Sequence, residues 1–226
     1  MLFRFFLLEH TKSIISRKGQ RDVVKILTFD LYGTLVDWGE SISKAIEFIC
    51  QGASKRFFEN EFSIVKGLKT YVPYSSILSQ ALEMTLKEKG VEFKEEYARL
   101  LITAFSKSQF FPDSILGLIM LKKKGYSTGV ISNTEKRLLK VTLAGVEDLF
   151  DYIVTAEDTG FYKPNRKAFA RAYEILGVDL KDVIHVSAYP QYDLEPASEL
   201  GVETVCLNRY GYSWKRSVQR LDMLEP

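Results

Sequence analysis

Histidine is almost missing from this chain: His10 and His185 are the only two in 226 residues. Cysteine is as scarce, with Cys50 and Cys206 far apart and neither in a Cys-x-x-Cys pair. Such scattered residues leave no zinc-type ligand set. The two thiols read as small buried apolar groups in a reducing compartment, so the expected location is cytoplasmic. Excess charge is also lacking. Lys plus Arg number 31 against 29 Asp plus Glu, a net charge of +2, which offers no footprint for nucleic acid. The longest basic run, Lys122-Lys123-Lys124, closes a predicted helix before Gly125, where cations suit the helix C-terminus. The apolar run Met1 to Leu8 is too short to span a bilayer, and it lacks the order of a secretory signal. Residues 1–21 are expected to form an N-terminal extension. Three readings of it stay open: a short packed helix, an extension from an upstream start, or a weak surface anchor.

What is present is a large apolar fraction, 46%, enough for a sizeable core. The chain is organised around Val23-Val24-Lys25-Ile26-Leu27-Thr28-Phe29-Asp30-Leu31-Tyr32-Gly33-Thr34. An apolar, β-branched run ends on an aspartate, and a tight Gly-Thr turn follows. Such a run reads as a buried parallel strand. Its carboxyl end is where open α/β sheets place their chemistry. A carboxylate there, beside backbone N–H groups able to face an anion, suits a nucleophile. Asp30 as a mere cap of the next segment is the bland alternative.

Further along, Glu40 to Phe58 carries apolar residues at helical spacing, so one helix is predicted there. Phe62 to Pro73 is mixed. Helices follow from Ser75 to Gly90 and around Tyr97 to Phe105. With no strand among them, residues 40–109 are expected to form a helical insertion. From Phe110 onward, helices alternate with strands near Tyr126–Ile131, Phe150–Thr155, Val183–Val186 and Val202–Leu207. Alternation of this kind implies a parallel sheet with right-handed crossovers. The expected fold class is therefore α/β: a Rossmann-like, doubly wound parallel sheet core (residues 22–39 and 110–226) with an inserted helical cap.

Four strand ends offer polar groups to one rim: Asp30, then Ser132-Asn133, then Lys163, then Ser187 with Asp193. An aspartate nucleophile needs donors that hold an anion, a cation that offsets stacked negative charge, and a group that orients water. Each member also has a dull alternative. Ser132-Asn133 suits a turn, Lys163 a surface loop, and Asp193 the N-cap of the helix at Leu194.

Asp30-Leu31-Tyr32-Gly33-Thr34 resembles the first motif of the haloacid dehalogenase superfamily. Ile131-Ser132-Asn133-Thr134 is similar to its second motif, and Gly160-Phe161-Tyr162-Lys163-Pro164 to its third. The stretch His185 to Asp193 resembles the fourth. The resemblance implies that Asp30 attacks the substrate and forms a covalent intermediate. It implies that Ser132 holds the substrate or the nucleophile, that Lys163 neutralises charge, and that Asp193 assists. Tyr32 stands where the superfamily's phosphatases carry a second Asp, and matches the pattern of its 2-haloacid dehalogenases. Their halide leaving group needs no proton.

Two departures follow. Ser187-Ala188 replaces the Gly-Asp of the Mg-dependent phosphatases, so Ala188 removes a metal-holding carboxylate. Phe169 stands where the dehalogenases carry a Tyr. The dehalogenases also place a cap arginine against the departing halide, and Arg56, or Lys55 beside it, is the nearest candidate. The candidate substrate contacts are Leu31, Tyr32, Thr34, Asn133, Ser187 and Arg56. No cofactor is expected, with Mg held by Asp30 and Asp193 only on a phosphatase reading. The expected partner is a small-molecule substrate, with no nucleic acid and no membrane, and a homodimer is left open. Three functions are carried forward: a 2-haloacid dehalogenase, an Mg-dependent phosphatase of small metabolites, and a catalytically silent binding module.

Overall fold

The computed structural model describes residues 25–226, and the N-terminal extension with Val23 and Val24 lies outside them. Strand β1 (Ile26–Phe29) is the hub. Leu27 and Phe29 on one face and Thr28 on the other are all fully buried. Both faces are covered, which is why the sequence shows a run rather than an alternation. Leu27 and Phe29 each contribute about 1.5–3 kcal/mol by leaving water.

β1 pairs in parallel with β2 (Ser127–Ser132) on one side and β4 (Val183–Ser187) on the other. β3 (Tyr152–Thr155) lies beyond β2, while β5 (Glu203–Leu207) and β6 (Ser217–Val218) lie beyond β4. The sheet order is β3-β2-β1-β4-β5-β6, parallel throughout. The chain winds outward from β1 to β3, then returns past β1 to β4. The order reverses at β1, and a crevice opens there beyond the strands' carboxyl ends. Asp30 is the first residue past β1. The α/β, doubly wound parallel sheet is the fold expected from the sequence. Strand β6 was not foreseen, because Ser217–Val218 is short and has no apolar run to mark it.

Between β1 and β2 lie α1 (Trp38–Ile49), α2 (Ser54–Gly67), α3 (Tyr74–Glu88), α4 (Glu95–Ser106) and α5 (Ser114–Lys123). The single helix predicted over Glu40–Phe58 is in fact two. They part at Gly52, which takes φ +71. The Glu47 carboxylate holds the break by accepting the Gly52 and Ser54 N–H groups at 2.6 and 3.2 Å. α2 then runs on to Gly67, through the stretch that reads as mixed. Just before that stretch Asn60 and Glu61 occupy inward positions, where apolar residues would have carried the helical pattern forward. After β2 come α6 (Lys136–Thr142), the one-turn α7 (Ala156–Thr159), α8 (Arg166–Leu176) and α9 (Glu195–Glu199). No helix among the described residues is long and apolar enough to cross a membrane.

The turn after Asp30 folds tightly. The Leu31 carbonyl accepts the N–H groups of Thr34, Leu35 and Val36 at 3.2, 2.8 and 2.9 Å. Gly33 permits this with φ +87, and a Cβ there would sit 2.0 Å from the Tyr189 hydroxyl. Gly145 has a similar φ of +86 but open space around it. Gly145→Ala thus carries backbone strain alone, about 1–3 kcal/mol. Gly33→Ala adds the displacement of Tyr189 and should lower the urea midpoint further. Equal midpoints for the two variants would show that Tyr189 gives way freely.

Candidate active site

Three charged side chains meet in the crevice: Asp30 just past β1, Lys163 from the loop after the Ala156–Thr159 helix, and Asp193 from the turn after β4. Lys163 Nζ lies 2.7 Å from Asp30 Oδ1 and 2.6 Å from Asp193 Oδ1, and donates to the Ile131 carbonyl at 2.9 Å. All three ammonium donors are thereby used. The loop that carries Lys163 is fixed from β2: Lys163 N–H donates to Asn133 Oδ1 at 2.7 Å, and Asn133 Nδ2 donates to the Lys163 carbonyl at 2.9 Å. Asp30 is fixed in the same way. Thr34 Oγ1 donates to Asp30 Oδ2 at 2.7 Å and accepts the Ala188 N–H at 2.9 Å. Behind Asp193, His185 Nε2 stands 3.1 Å from Oδ1, and His185 Nδ1 is 2.9 Å from Thr28 Oγ1. A proton on Nε2, facing the carboxylate, leaves Nδ1 to accept from Thr28.

Burial sets the electrostatics. It pushes the Asp30 carboxyl up, and although Lys163 pulls against it, the net shift is upward. Burial pushes Asp193 up as well, but Lys163 and His185 outweigh it and hold this carboxyl below its ordinary range. Burial disfavours the Lys163 ammonium, yet the carboxylates of Asp193 and Asp30 win and raise it. The two acids thus take different characters from one shared lysine. Asp30 opens into a cavity of about 410 Å³, while Asp193 stays behind it.

A family model described as haloacid dehalogenase-like hydrolase matches residues 27–207. The chain belongs to that family. Among curated relatives, (S)-2-haloacid dehalogenase 4A of Burkholderia cepacia is 27% identical over 198 residues, covering 84% of this chain and 85% of that protein. A glyceraldehyde 3-phosphate phosphatase of Pyrococcus furiosus is 25% identical over 199 residues, covering 83% and 82%. Among solved structures, an L-2-haloacid dehalogenase of Xanthobacter autotrophicus with chloropropionic acid covalently bound superimposes with a TM-score of 0.77 at 21% identity. That match covers 88% of this chain and 96% of that one. These haloacid dehalogenase-like hydrolases therefore share the fold across both the sheet and the helical insertion.

Within that frame the expected contacts separate. Asp30, Tyr32, Ser132, Asn133 and Lys163 line the cavity. The Ser132 hydroxyl is buried and without a hydrogen-bond partner, so it is a free donor at the cavity floor. Tyr32 is a wall: its ring stacks on Phe105 at 4.1 Å and its hydroxyl lies 2.7 Å from Thr142 Oγ1. Leu31, Thr34 and Ser187 are fully buried behind the floor and do not line the cavity. Ser187 Oγ instead accepts the Tyr189 N–H at 3.1 Å. The alternative of Asp193 as a simple helix cap does not hold, since its carboxylate binds Lys163 and His185.

Arg56 does not reach the cavity. It lies on the outer side of α2, paired with Glu88 on α3 and with Glu59 at 3.1 Å. The helix break at Gly52 sets the phase of α2, so that Phe58, Glu61 and Phe62 face inward while Arg56 faces out. The remaining walls are aromatic and come from distant segments: Trp38, Tyr74, Tyr189, Tyr192, Tyr210 and Tyr212. The last two follow β5 in a loop with no motif around it.

The donor set does not suit magnesium. Asp30 and Asp193 both bind Lys163, and Ala188 supplies only a backbone N–H to the site. Among the described residues, no cluster of three or more metal-ligating side chains exists.

The charged triad sets a pH-dependent stability. Asp193, held below its ordinary value, stabilises the fold above the unfolded carboxyl range, and this is lost as pH falls through its folded value. Lys163, held above its ordinary value, stabilises the fold at lower pH, and this is lost as pH rises through its folded value. Asp30, pushed up, works the other way and gains from acid. Lys163→Met should cost about 3–5 kcal/mol at pH 7, because it strands two buried carboxylates. Urea denaturation at pH 7 and at about pH 4 should show the gap from wild type narrowing in acid as those carboxyls take up protons. A gap that widens would contradict the charge assignment.

Proposed function

We propose that this chain is a hydrolase of the 2-haloacid dehalogenase type, with Asp30 as nucleophile and residues 40–109 as a cap over it. The observation that carries this reading is Asp30 itself: it opens to the cavity, is aimed by Thr34, and is balanced by Lys163 at 2.7 Å. A carboxylate oxygen of Asp30 attacks C2 of a small 2-halocarboxylic acid in line with the carbon–halogen bond. The bonding pair leaves with the halide, and C2 is left esterified to Asp30. Water then adds at the Asp30 carboxyl carbon, the bond from that carbon to the C2 oxygen breaks, the departing alkoxide takes up one of the water's protons, and the other leaves to solvent as Asp30 returns to a carboxylate. The product is the 2-hydroxy acid.

The chain's groups support each step. The free Ser132 hydroxyl and the Tyr32 N–H hold the substrate carboxylate, the N–H groups of Gly33 to Val36 being paired within the turn. Once Asp30 is an ester its charge is gone, so Lys163 is left with Asp193 and can stabilise the oxyanion of the second step. Tyr32 and the aromatic walls exclude bulk water. A phosphatase is disfavoured by the same residues. Burial raises the Tyr32 phenol well above its usual range, and at Ala188 no carboxylate holds a metal.

Wild-type protein should release halide from 2-chloropropionate, and EDTA should leave the rate unchanged. Asp30→Asn should reduce it by about 10³-fold or more, as loss of a nucleophile does. One turnover in ¹⁸O-water should place the label in the Asp30 carboxyl, read by peptide mass. Label appearing only in the product would overturn the ester. Phosphate release that requires added magnesium would favour the phosphatase.

A further inference from the structure

The residue of the cavity that the reaction above does not use is Glu61. It sits on α2 between Phe58 and Phe62, one helical turn and one residue away respectively, and all three line the cavity. Its carboxyl is buried, and the phenol of Tyr74 donates to Oε1 at 3.0 Å. Among the described residues no basic side chain offsets it: burial, partly countered by the Tyr74 bond, pushes Glu61 up to about 7. Among the described residues the cavity's single ammonium, Lys163, is already held by two carboxylates. The arginine expected from the resemblance is outside, on Glu88 and Glu59. The helical wall of this cavity is therefore acidic, where departure of an anion alone would call for a cation.

An acid ringed by aromatic side chains is the chemistry of organic-cation recognition. Tyr192 packs edge-on against Phe62 at 5.5 Å, and Tyr189 lies 6.2 Å from Tyr192. The cavity of about 410 Å³ also exceeds what a three-carbon acid needs, since a water-sized share of liquid is about 30 Å³. There is room for a substrate that reaches from Asp30 to Glu61.

We propose that Glu61 is a specificity-determining residue that receives a protonated amine at the far end of the substrate. The preferred substrate class is then a 2-halo acid that also bears an ammonium group, with its carboxylate at Ser132 and its amine between Glu61 and the aromatic walls. The inference rests on the Asp30 pocket being the reaction site, but its test does not depend on turnover. The groups facing Glu61 are the phenols of Tyr74, Tyr162 and Tyr192, all raised by burial and neutral near pH 7. Glu61 is then the group that ionises near neutrality on this wall.

The probes are unreactive: 5-aminopentanoate and pentanoate, titrated calorimetrically into the full chain at pH 8 and pH 6. The amino acid should bind at least about tenfold tighter at pH 8, a difference of about 1.4 kcal/mol. Its advantage should shrink at pH 6, where Glu61 is protonated. Glu61→Gln, which keeps an acceptor for Tyr74, should erase the preference and its pH dependence. Equal or tighter binding of pentanoate by the wild type at pH 8 would overturn the proposal, whether or not the variant folds. A retained preference in Glu61→Gln would overturn it as well. An amine preference in a protein that releases no halide would instead leave Glu61 standing and sink the dehalogenase reading.

Discussion

The structure depends on one ammonium held between two buried carboxylates. Removing the Lys163, Asp30 and Asp193 charges from water is costly, several kcal/mol for each ion. The cost is offset because the geometry is closed. Every Lys163 donor has an acceptor within 2.9 Å, and each carboxylate has a further donor, Thr34 for Asp30 and His185 for Asp193. Such closure needs the ends of β1, β2 and β4 together with the loop after α7 to lie within a few ångströms. Only a parallel sheet whose order reverses at β1 brings them to one rim. The fold and the charge network are thus one constraint seen at two scales. Asp30 is the one carboxylate of the three ions with access to the cavity.

Much of this was legible beforehand, for identifiable reasons. Strands buried on both faces leave dense apolar runs, and polar residues that end such runs stand out. Asp30, Ser132 and Asn133 were visible on that ground, Lys163 by its likeness to a family motif, and their convergence followed from strand alternation. Asp193 was visible by spacing, yet whether it capped a helix or faced Lys163 was a question of three dimensions. The helical wall was far less legible. One residue, Gly52, rotates the phase of α2, and an inward Glu61 breaks the apolar stripe that would reveal the helix. The loop carrying Tyr210 and Tyr212 has no periodicity at all. It is pinned by Arg209, which reaches the Thr34 carbonyl at 3.1 Å and Asp113 at 2.8 Å. Those bonds link residues remote in sequence, and nothing local announces them.

The division between legible and hidden residues matches a division of labour. The sheet rim supplies the carboxylate that opens to the cavity and its counter-charge, and these tolerate little change because each ion is buried against the others. The helical wall lines the cavity without touching the triad, so its polarity can change at small cost to the fold. Glu61 illustrates this freedom. Its desolvation is relieved by one phenol and by the upward shift of its carboxyl, so the fold bears an acid there without a cation among the described residues. A ligand that brings its own positive charge would restore the balance that the protein leaves open. Membership in the family therefore constrains how Asp30 can react, and the charge of the opposite wall constrains what can be held against it.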